Sequence, residues 1–387
     1  MTIESRNPPA DDVAHRRPKL AFLTNVVAPY RVALMEHLGR VFETTILYSG
    51  DEPNRKEWKA LDGRATDGVR VKKSWGIMLS LTRKRDGGSF DHRFVHFTPG
   101  YVVDLLKIRP DAIVSAELGF RTVVALAYAK LTRVSLWVLW GGTRHTEAEL
   151  GVIKRLFRSM VVPLVPRWLS YGTTSTEYLL DVGVREERIL QMQNCVDETV
   201  YRSPRHPYLN LQPRPVLLCA GRLVPGKGVD LLLEIVASLQ EEGLQFSLLI
   251  VGTGVDAPRL VAKVQSLNLK NTLLIGAVEP SKMPSVYRSA DLVVFPTLAD
   301  VWGLVINEAL WSGIPVLGSV YAGASRELLA PEHVFDPLDR ADFLAKLRSA
   351  IRTGLGPVDT SRLLKMDAVA DLIASDILRR VSGLLEY

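Results

Sequence analysis

Residues 290–316 read Ala290-Asp291-Leu-Val-Val-Phe-Pro296-Thr-Leu-Ala-Asp300-Val-Trp302-Gly303-Leu-Val-Ile-Asn-Glu308-Ala-Leu-Trp-Ser-Gly313-Ile-Pro315-Val316. A short, wholly apolar run stops at Pro296, as a strand buried on both faces does. A polar loop with Asp300 follows, and Gly303 opens a run with helical spacing that ends at Gly313. Pro315 then starts another apolar run. Strand, loop, helix, strand in this order is the repeating unit of a parallel α/β sheet. The helix N-terminus at Gly303 carries free backbone amides and a partial positive charge, a natural seat for a phosphate. Asp300 before it and Glu308 one turn inside it can accept hydrogen bonds from sugar hydroxyls; a simple cap is the lesser alternative for Asp300.

The same alternation extends outward in both directions. Towards the N-terminus, Val216–Ala220, Phe246–Val251 and Thr272–Ile275 read as strands, with helices at Asp230–Glu241, Pro258–Leu267 and Lys282–Ser289. Ser203–Pro215 is polar and proline-rich, and before it a second series begins at Lys19–Asn25. That series continues with strands at Thr45–Tyr48, Ala112–Ser115, Ser135–Leu139 and Trp168–Thr173. The sequence therefore predicts two doubly wound α/β domains. A tail covers residues 1–17, a first domain 18–205 and a second 206–365. Ser361–Tyr387 reads as mostly helical, and its part 366–387 is expected to cross back onto the first domain.

Composition narrows the functional classes. With 387 residues, 47% hydrophobic and 23% charged, the chain has ordinary globular balance, not that of a disordered or fibrous protein. Cys195 and Cys219 are too few for a disulfide framework or a structural zinc site, and suit a reducing compartment. His92 and His96 stand four apart without a third ligand nearby, so no metal is expected. No apolar leader or spanning stretch is visible, and a cytoplasmic protein is expected. The net charge of +6 is unevenly placed. Residues 1–205 hold 31 Lys/Arg against 23 Asp/Glu, and residues 206–387 hold 17 against 19. The positive half suggests an anionic partner such as a membrane surface. Nucleic acid is not expected, because no helix-turn-helix, zinc-finger or RNP signature is present.

Three further segments carry chemistry. Gly221-Arg222-Leu-Val-Pro-Gly226-Lys227-Gly228 follows a strand and nearly matches a phosphate-binding P-loop, but Gly228 lacks the hydroxyl that would hold Mg²⁺. What remains is two cations on a glycine-rich turn, suited to a diphosphate or simply solvated. Gly252-Thr-Gly254 resembles a dinucleotide fingerprint without an acidic residue at the end of the next strand, so its glycines are read as turn formers. In the first half, Glu117 and His145 stand in loops after predicted strands, where open sheets bind ligands. Each could face a catalytic cleft or serve a structural purpose. Arg31, in Asn25-Val-Val-Ala-Pro-Tyr-Arg31, could touch a phosphate or pair with a carboxylate. Two basic stretches also contain apolar residues. One includes Lys72, Lys73 and Arg83, the other Lys154 and Arg155. The second, Ile153–Met160, reads either as a membrane-lying helix or as a core helix with snorkelling cations.

In order, these motifs resemble the retaining glycosyltransferases of the GT-B fold, family 4, the "glycosyl transferases group 1" type. The resemblance rests on Gly221–Gly228, Gly252–Gly254, Tyr287-x-x-Ala-Asp-Leu to Pro296, and the Asp300–Glu308 pair. It covers roughly residues 18–387 and implies two Rossmann-like domains facing across a cleft. By resemblance, Arg222 and Lys227 hold a nucleotide-sugar diphosphate, with the amides of Gly303 and Leu304 opposite. Glu308 takes the ribose, and Asp300 lies against the transferred sugar. The family usually has Glu at the position of Asp300. The Pro-Tyr-Arg variant around Arg31 resembles polysaccharide-assembly members. The implied activity is metal-independent hexosyl transfer to a lipid-linked or saccharide hydroxyl in exopolysaccharide or lipopolysaccharide assembly, peripheral on the cytoplasmic membrane. Glu117, His145, Asp300 and Glu308 are its candidate catalytic residues. The competing readings are a non-catalytic nucleotide-sugar binder and a nucleotide-sugar epimerase on the same fold.

Overall fold

A computed structural model describes residues 16–50, 68–84, 90–148, 151–203 and 205–385. Most of the expected N-terminal tail lies outside the described residues. The first domain contains β1 (Lys19–Thr24), β2 (Glu43–Tyr48), β3 (Val69–Lys73), β4 (Ile77–Lys84) and β5 (Phe90–Phe97). β6 (Ala112–Ala116), β7 (Ser135–Trp140), β8 (Arg167–Tyr171) and β9 (Ile189–Met192) follow. Seven of these form one parallel sheet in the order β3-β2-β1-β6-β7-β8-β9, while β4 and β5 pair as a separate antiparallel hairpin. The second domain builds a six-stranded parallel sheet from β10 (Val216–Ala220), β11 (Ser247–Val251), β12 (Thr272–Leu274), β13 (Leu292–Phe295), β14 (Val316–Ser319) and β15 (Val334–Phe335). Its order is β12-β11-β10-β13-β14-β15. The expected pair of doubly wound α/β domains is what the chain forms.

Alternation along each strand sends side chains to two helical layers. In β1, Leu20 and Phe22 join the core that is continuous with the second domain, while Ala21 and Leu23 face the helices Gly100–Ile108 and Phe120–Thr132. The C-terminal helix, Met366–Leu385, buries Val369, Ile373, Ile377 and Val381 at four-residue intervals. It packs against the helix Pro29–Val41 of the first domain. Asp376 fixes it there, accepting from Trp137 Nε1 at 2.7 Å and from the Arg167 guanidinium at 2.7 Å. Its partner-rich burial makes Asp376 part of the core and not an exposed charge. Residues 361–365, read as helical from sequence, lie outside this helix; Gln193 holds them instead, accepting from the Leu364 amide at 2.8 Å and donating to the Arg362 carbonyl at 2.9 Å. The sequence reading also passed over β3, β4 and the helix Gly100–Ile108. Among the described residues no helix is long and apolar enough to cross a membrane.

Candidate donor and cleft site

The loops after β10 and β11 are packed back to back, and this explains their glycines. A Cβ on Gly252 would lie 1.8 Å from the Gly221 carbonyl oxygen, and one on Gly254 would lie 2.0 Å from that of Leu223. The Gly221 amide donates to Val251 and the Leu223 amide to Thr253. So Gly252 and Gly254 close a turn, as the sequence suggested. Gly228 has φ +63° and opens the helix Val229–Glu241; a Cβ there would meet the Pro296 carbonyl oxygen at 2.1 Å. The Gly226 carbonyl also accepts from the Leu298 amide at 2.9 Å. The Gly221–Gly228 loop and the loop after β13 are thereby held edge to edge.

This close approach assembles the site. Lys227 Nζ pairs with Asp300 Oδ2 and lies 5.4 Å from the centre of the Phe295 ring. Both side chains are largely buried, Lys227 at 16% and Asp300 at 20% exposed. The other Asp300 oxygen accepts from the Trp302 amide at 3.1 Å. Asp300 is therefore a cap for the loop and an anion for Lys227 together. Arg222 is exposed and shares a small pocket with Lys227, Phe295 and Pro296. Gly303, at φ +97°, presses onto Phe295, and a Cβ there would stand 2.8 Å from the ring. It starts the helix Leu304–Trp311, which no side chain caps. Its first amides, from Gly303 and Leu304, thus lie beside the ring that Lys227 covers.

Glu308 lies inside that helix. Tyr287 donates to it at 2.6 Å, and Tyr201, from the last helix of the first domain, also hydrogen-bonds it. Burial pushes the Glu308 carboxyl up to about 6, against the two tyrosine hydrogen bonds, which lower it. Sequence reasoning missed both tyrosines as partners. Tyr287 stood in the quoted Tyr-x-x-Ala-Asp-Leu block; Tyr201 carried no local signal.

Across the cleft, His145 reaches the second domain directly. Its Nε2 contacts the Leu298 carbonyl, and its ring stacks on Tyr321 with centroids 4.4 Å apart. Thr143, not His145, caps that short helix. Glu117 sits after β6 at φ +62°, a backbone region that non-glycine residues enter rarely, and its side chain is 64% exposed. Arg121, buried at 6% exposure, reaches Glu117 at 3.3 Å and donates to Asn25 Oδ1 and the Ala116 carbonyl. Arg31 Nη2 donates to Tyr171 Oη at 2.9 Å, and its charge is coupled to that of Glu117. Arg31, Glu117 and Arg121 thus gather at the C-terminal ends of β1, β6 and β8. A third interdomain contact was not foreseen. Glu327 accepts from the Thr173 amide at the start of the helix Gly172–Asp181, where Gly172 (φ +66°) leaves the room. Burial raises the Glu327 carboxyl, and the hydrogen bond from Thr173 opposes this.

The remaining basic candidates are elsewhere. Lys72 Nζ is 2.5 Å from buried Asp104, and Lys73 stands on the same edge strand, β3. Lys154 and Arg155 are exposed on the helix Val152–Val161. Arg83 belongs to β4, but its side chain, like that of His92, lies outside the described residues, while His96 is buried in β5.

Residues 205–360 match the family described as Glycosyl transferases group 1. The second domain is a group 1 glycosyltransferase domain. The chain is 30% identical over 261 residues to a D-inositol 3-phosphate glycosyltransferase of Nocardia farcinica, covering 62% of this chain and 56% of that protein. The chain thus spans little more than half the length of that relative. It is 27% identical over 352 residues to a GDP-mannose-dependent alpha-mannosyltransferase of Mycolicibacterium smegmatis, covering 86% of each. Anabaena Alr3699/HepE, solved in complex with UDP and glucose, superposes with a TM-score of 0.65 at 17% identity, over 95% of this chain and 99% of that one. The described residues have the GT-B fold. The family domain contains Arg222, Lys227, Asp300, Gly303 and Glu308, whereas Arg31, Glu117 and His145 lie before it.

Proposed function

We propose that this chain transfers a sugar from a nucleotide-sugar to a hydroxyl acceptor, with retention of the anomeric configuration. The observation that carries the reading is the cluster at the ends of β10 and β13. Two cations, Arg222 and Lys227, share one pocket, and an uncapped helix N-terminus at Gly303 adjoins the ring beneath Lys227. That arrangement suits a diphosphate leaving group, whose developing charge is the main thing such a reaction must stabilise. In our reading Glu308 holds the ribose, and Asp300 turns from Lys227 towards the transferred sugar when the diphosphate takes the lysine. The bond from the anomeric carbon to the leaving oxygen breaks. The acceptor oxygen bonds to the same face, and its proton passes to the leaving phosphate oxygen. The side-chain cations supply the electrostatic role, so the proposal needs no cofactor.

On the other wall, Arg31, Glu117 and His145 face the acceptor. A lipid-linked or saccharide acceptor in surface-polysaccharide assembly, met at the inner face of the cytoplasmic membrane, fits the basic first half. The test is product analysis after incubation with UDP-glucose or GDP-mannose and candidate hydroxyl acceptors. An α-linked product from an α-linked donor is expected, with loss on Lys227→Ala. A β-linked product would contradict retention. A nucleotide-sugar epimerised without transfer would contradict the reaction class.

A further inference from the structure

The exposed apolar side chains of this protein are concentrated on one flank of the first domain. The helix Val152–Val161 buries Val161 but leaves Ile153 85%, Leu156 59% and Met160 57% exposed. Phe157 and Val161 anchor the helix to the core, while the rest of its apolar stripe faces outward. The hairpin adds a second apolar surface. Ile77 pairs with Phe97 and Leu79 with Val95, which sets the four side chains on one face, and all four are exposed. Trp75, at the foot of the hairpin, is 74% exposed, although its backbone is pinned by the Gly100 amide at 2.9 Å.

These pieces belong to one side of the sheet. The helices Gly100–Ile108 and Phe120–Thr132 cover one stretch of the sheet face, and the helix Val152–Val161 covers the adjoining stretch. Leu126 packs against both cores. Phe97 of the hairpin meets Phe120 at the start of the second helix, with ring centroids 4.4 Å apart. The opposite sheet face is covered by the helix Pro29–Val41 and the C-terminal helix.

The exposed charge on the three helices of this flank has one sign. Across the three helices the only carboxylate is Asp104, which is buried under Lys72 and Ser74. Lys107, Lys130, Lys154 and Arg155 are exposed on them. A soluble surface usually interleaves both signs and avoids large apolar patches. Apolar side chains bordered by cations, with an exposed tryptophan, match instead the interface of an anionic bilayer.

We propose that this flank, the Val152–Val161 helix together with the hairpin face of Ile77, Leu79, Val95 and Phe97, seats the protein on an anionic lipid surface. It names the surface for the membrane-facing acceptor reading above and rests on that reading for its purpose, but its test needs neither donor nor acceptor. The full chain is sedimented with vesicles of phosphatidylcholine plus phosphatidylglycerol, and with vesicles of phosphatidylcholine alone. The wild type is expected to pellet with the first and not the second, and to be released by high salt. Ile153→Asp with Leu156→Asp, and separately Leu79→Ser with Val95→Ser, should each weaken pelleting on the order of tenfold at unchanged melting temperature. Lys154→Glu with Arg155→Glu should do the same and remove the salt dependence.

Equal pelleting with uncharged vesicles, or none with anionic ones, would overturn the proposal. So would a concentration-dependent dimer that the Asp variants dissolve, because a second copy would then cover the flank. Lipid binding that persists in a protein without transferase activity would overturn the transfer reading alone.

Discussion

The two walls of the cleft are built in different ways. On the second domain the functional atoms come from two loops that touch through glycines, Gly221–Gly228 and the loop after β13, so Lys227, Asp300 and Gly303 are fixed within one compact motif. On the first domain Arg31, Glu117 and His145 come from three separate segments, and each is held by a different partner: Arg31 by Tyr171, Glu117 by Arg121 four residues on, and His145 by Leu298 with Tyr321 across the cleft. The contrast teaches where chemistry can be conserved in local pattern. A diphosphate needs amides and cations at fixed short range, which a loop can encode. An acceptor is shaped by tertiary neighbours.

The sharpest way to break this contrast is at Lys227. Lys227→Ala should lower the transfer rate by about 10²–10³-fold, the scale for removing one donor aimed at developing charge. Unchanged melting of the variant would locate the loss in chemistry and not in folding. Steady-state kinetics beside a thermal melt check both. Next in size is the tie between the walls. Asp376→Ala leaves Arg167 and Trp137 without their buried acceptor and should cost about 3 kcal/mol of stability, read by denaturant unfolding. If the two domains then melt separately, the C-terminal helix is what joins them.

A third effect follows from Glu308. Its folded carboxyl titrates near 6, above the ordinary value, so the folded state holds a proton that the unfolded chain has lost. Its contribution to stability is therefore fully present below the ordinary carboxylate range and falls as pH rises to about 6. Donor affinity should run the other way. The ionised carboxylate accepts ribose hydroxyls better, so binding should tighten on the order of tenfold as pH rises through 6. Glu308→Gln should flatten that profile, as measured by calorimetry at several pH values. The smallest effect is expected at His145. His145→Ala should reduce turnover several-fold while leaving the nucleotide dissociation constant unchanged, because the ring belongs to the opposite wall. A large loss of nucleotide affinity would merge the two walls into one site.

The same contrast sets how much was legible beforehand. Both sheets could be read, because parallel strands buried on two faces are continuous apolar runs, such as Leu292–Phe295. The roles of Gly252 and Gly254 as turn formers were also legible, since the acidic partner of a dinucleotide site was missing. The hairpin as a whole was not, because its first strand runs through a basic stretch interleaved with apolar residues, although Asp91–Phe97 reads as strand. Nor was the pairing of Lys227 with Asp300, 73 residues apart, or the tyrosines on Glu308. Those contacts depend on how one loop lies on another, which residue types alone do not encode. The Val152–Val161 helix was readable as amphipathic, but only its packing tells which way the stripe points.

The central claim is that Arg222 and Lys227 hold a nucleotide diphosphate on the second domain. The most direct test is a thermal-shift series of the wild type and Lys227→Ala with UDP-, GDP-, ADP- and dTDP-sugars. A ligand at about 100 times its dissociation constant stabilises by about 2.7 kcal/mol. One nucleotide class should raise the wild-type melting temperature by several degrees and leave Lys227→Ala where it was. An equal shift in both proteins, or none with any of the four, would contradict the account.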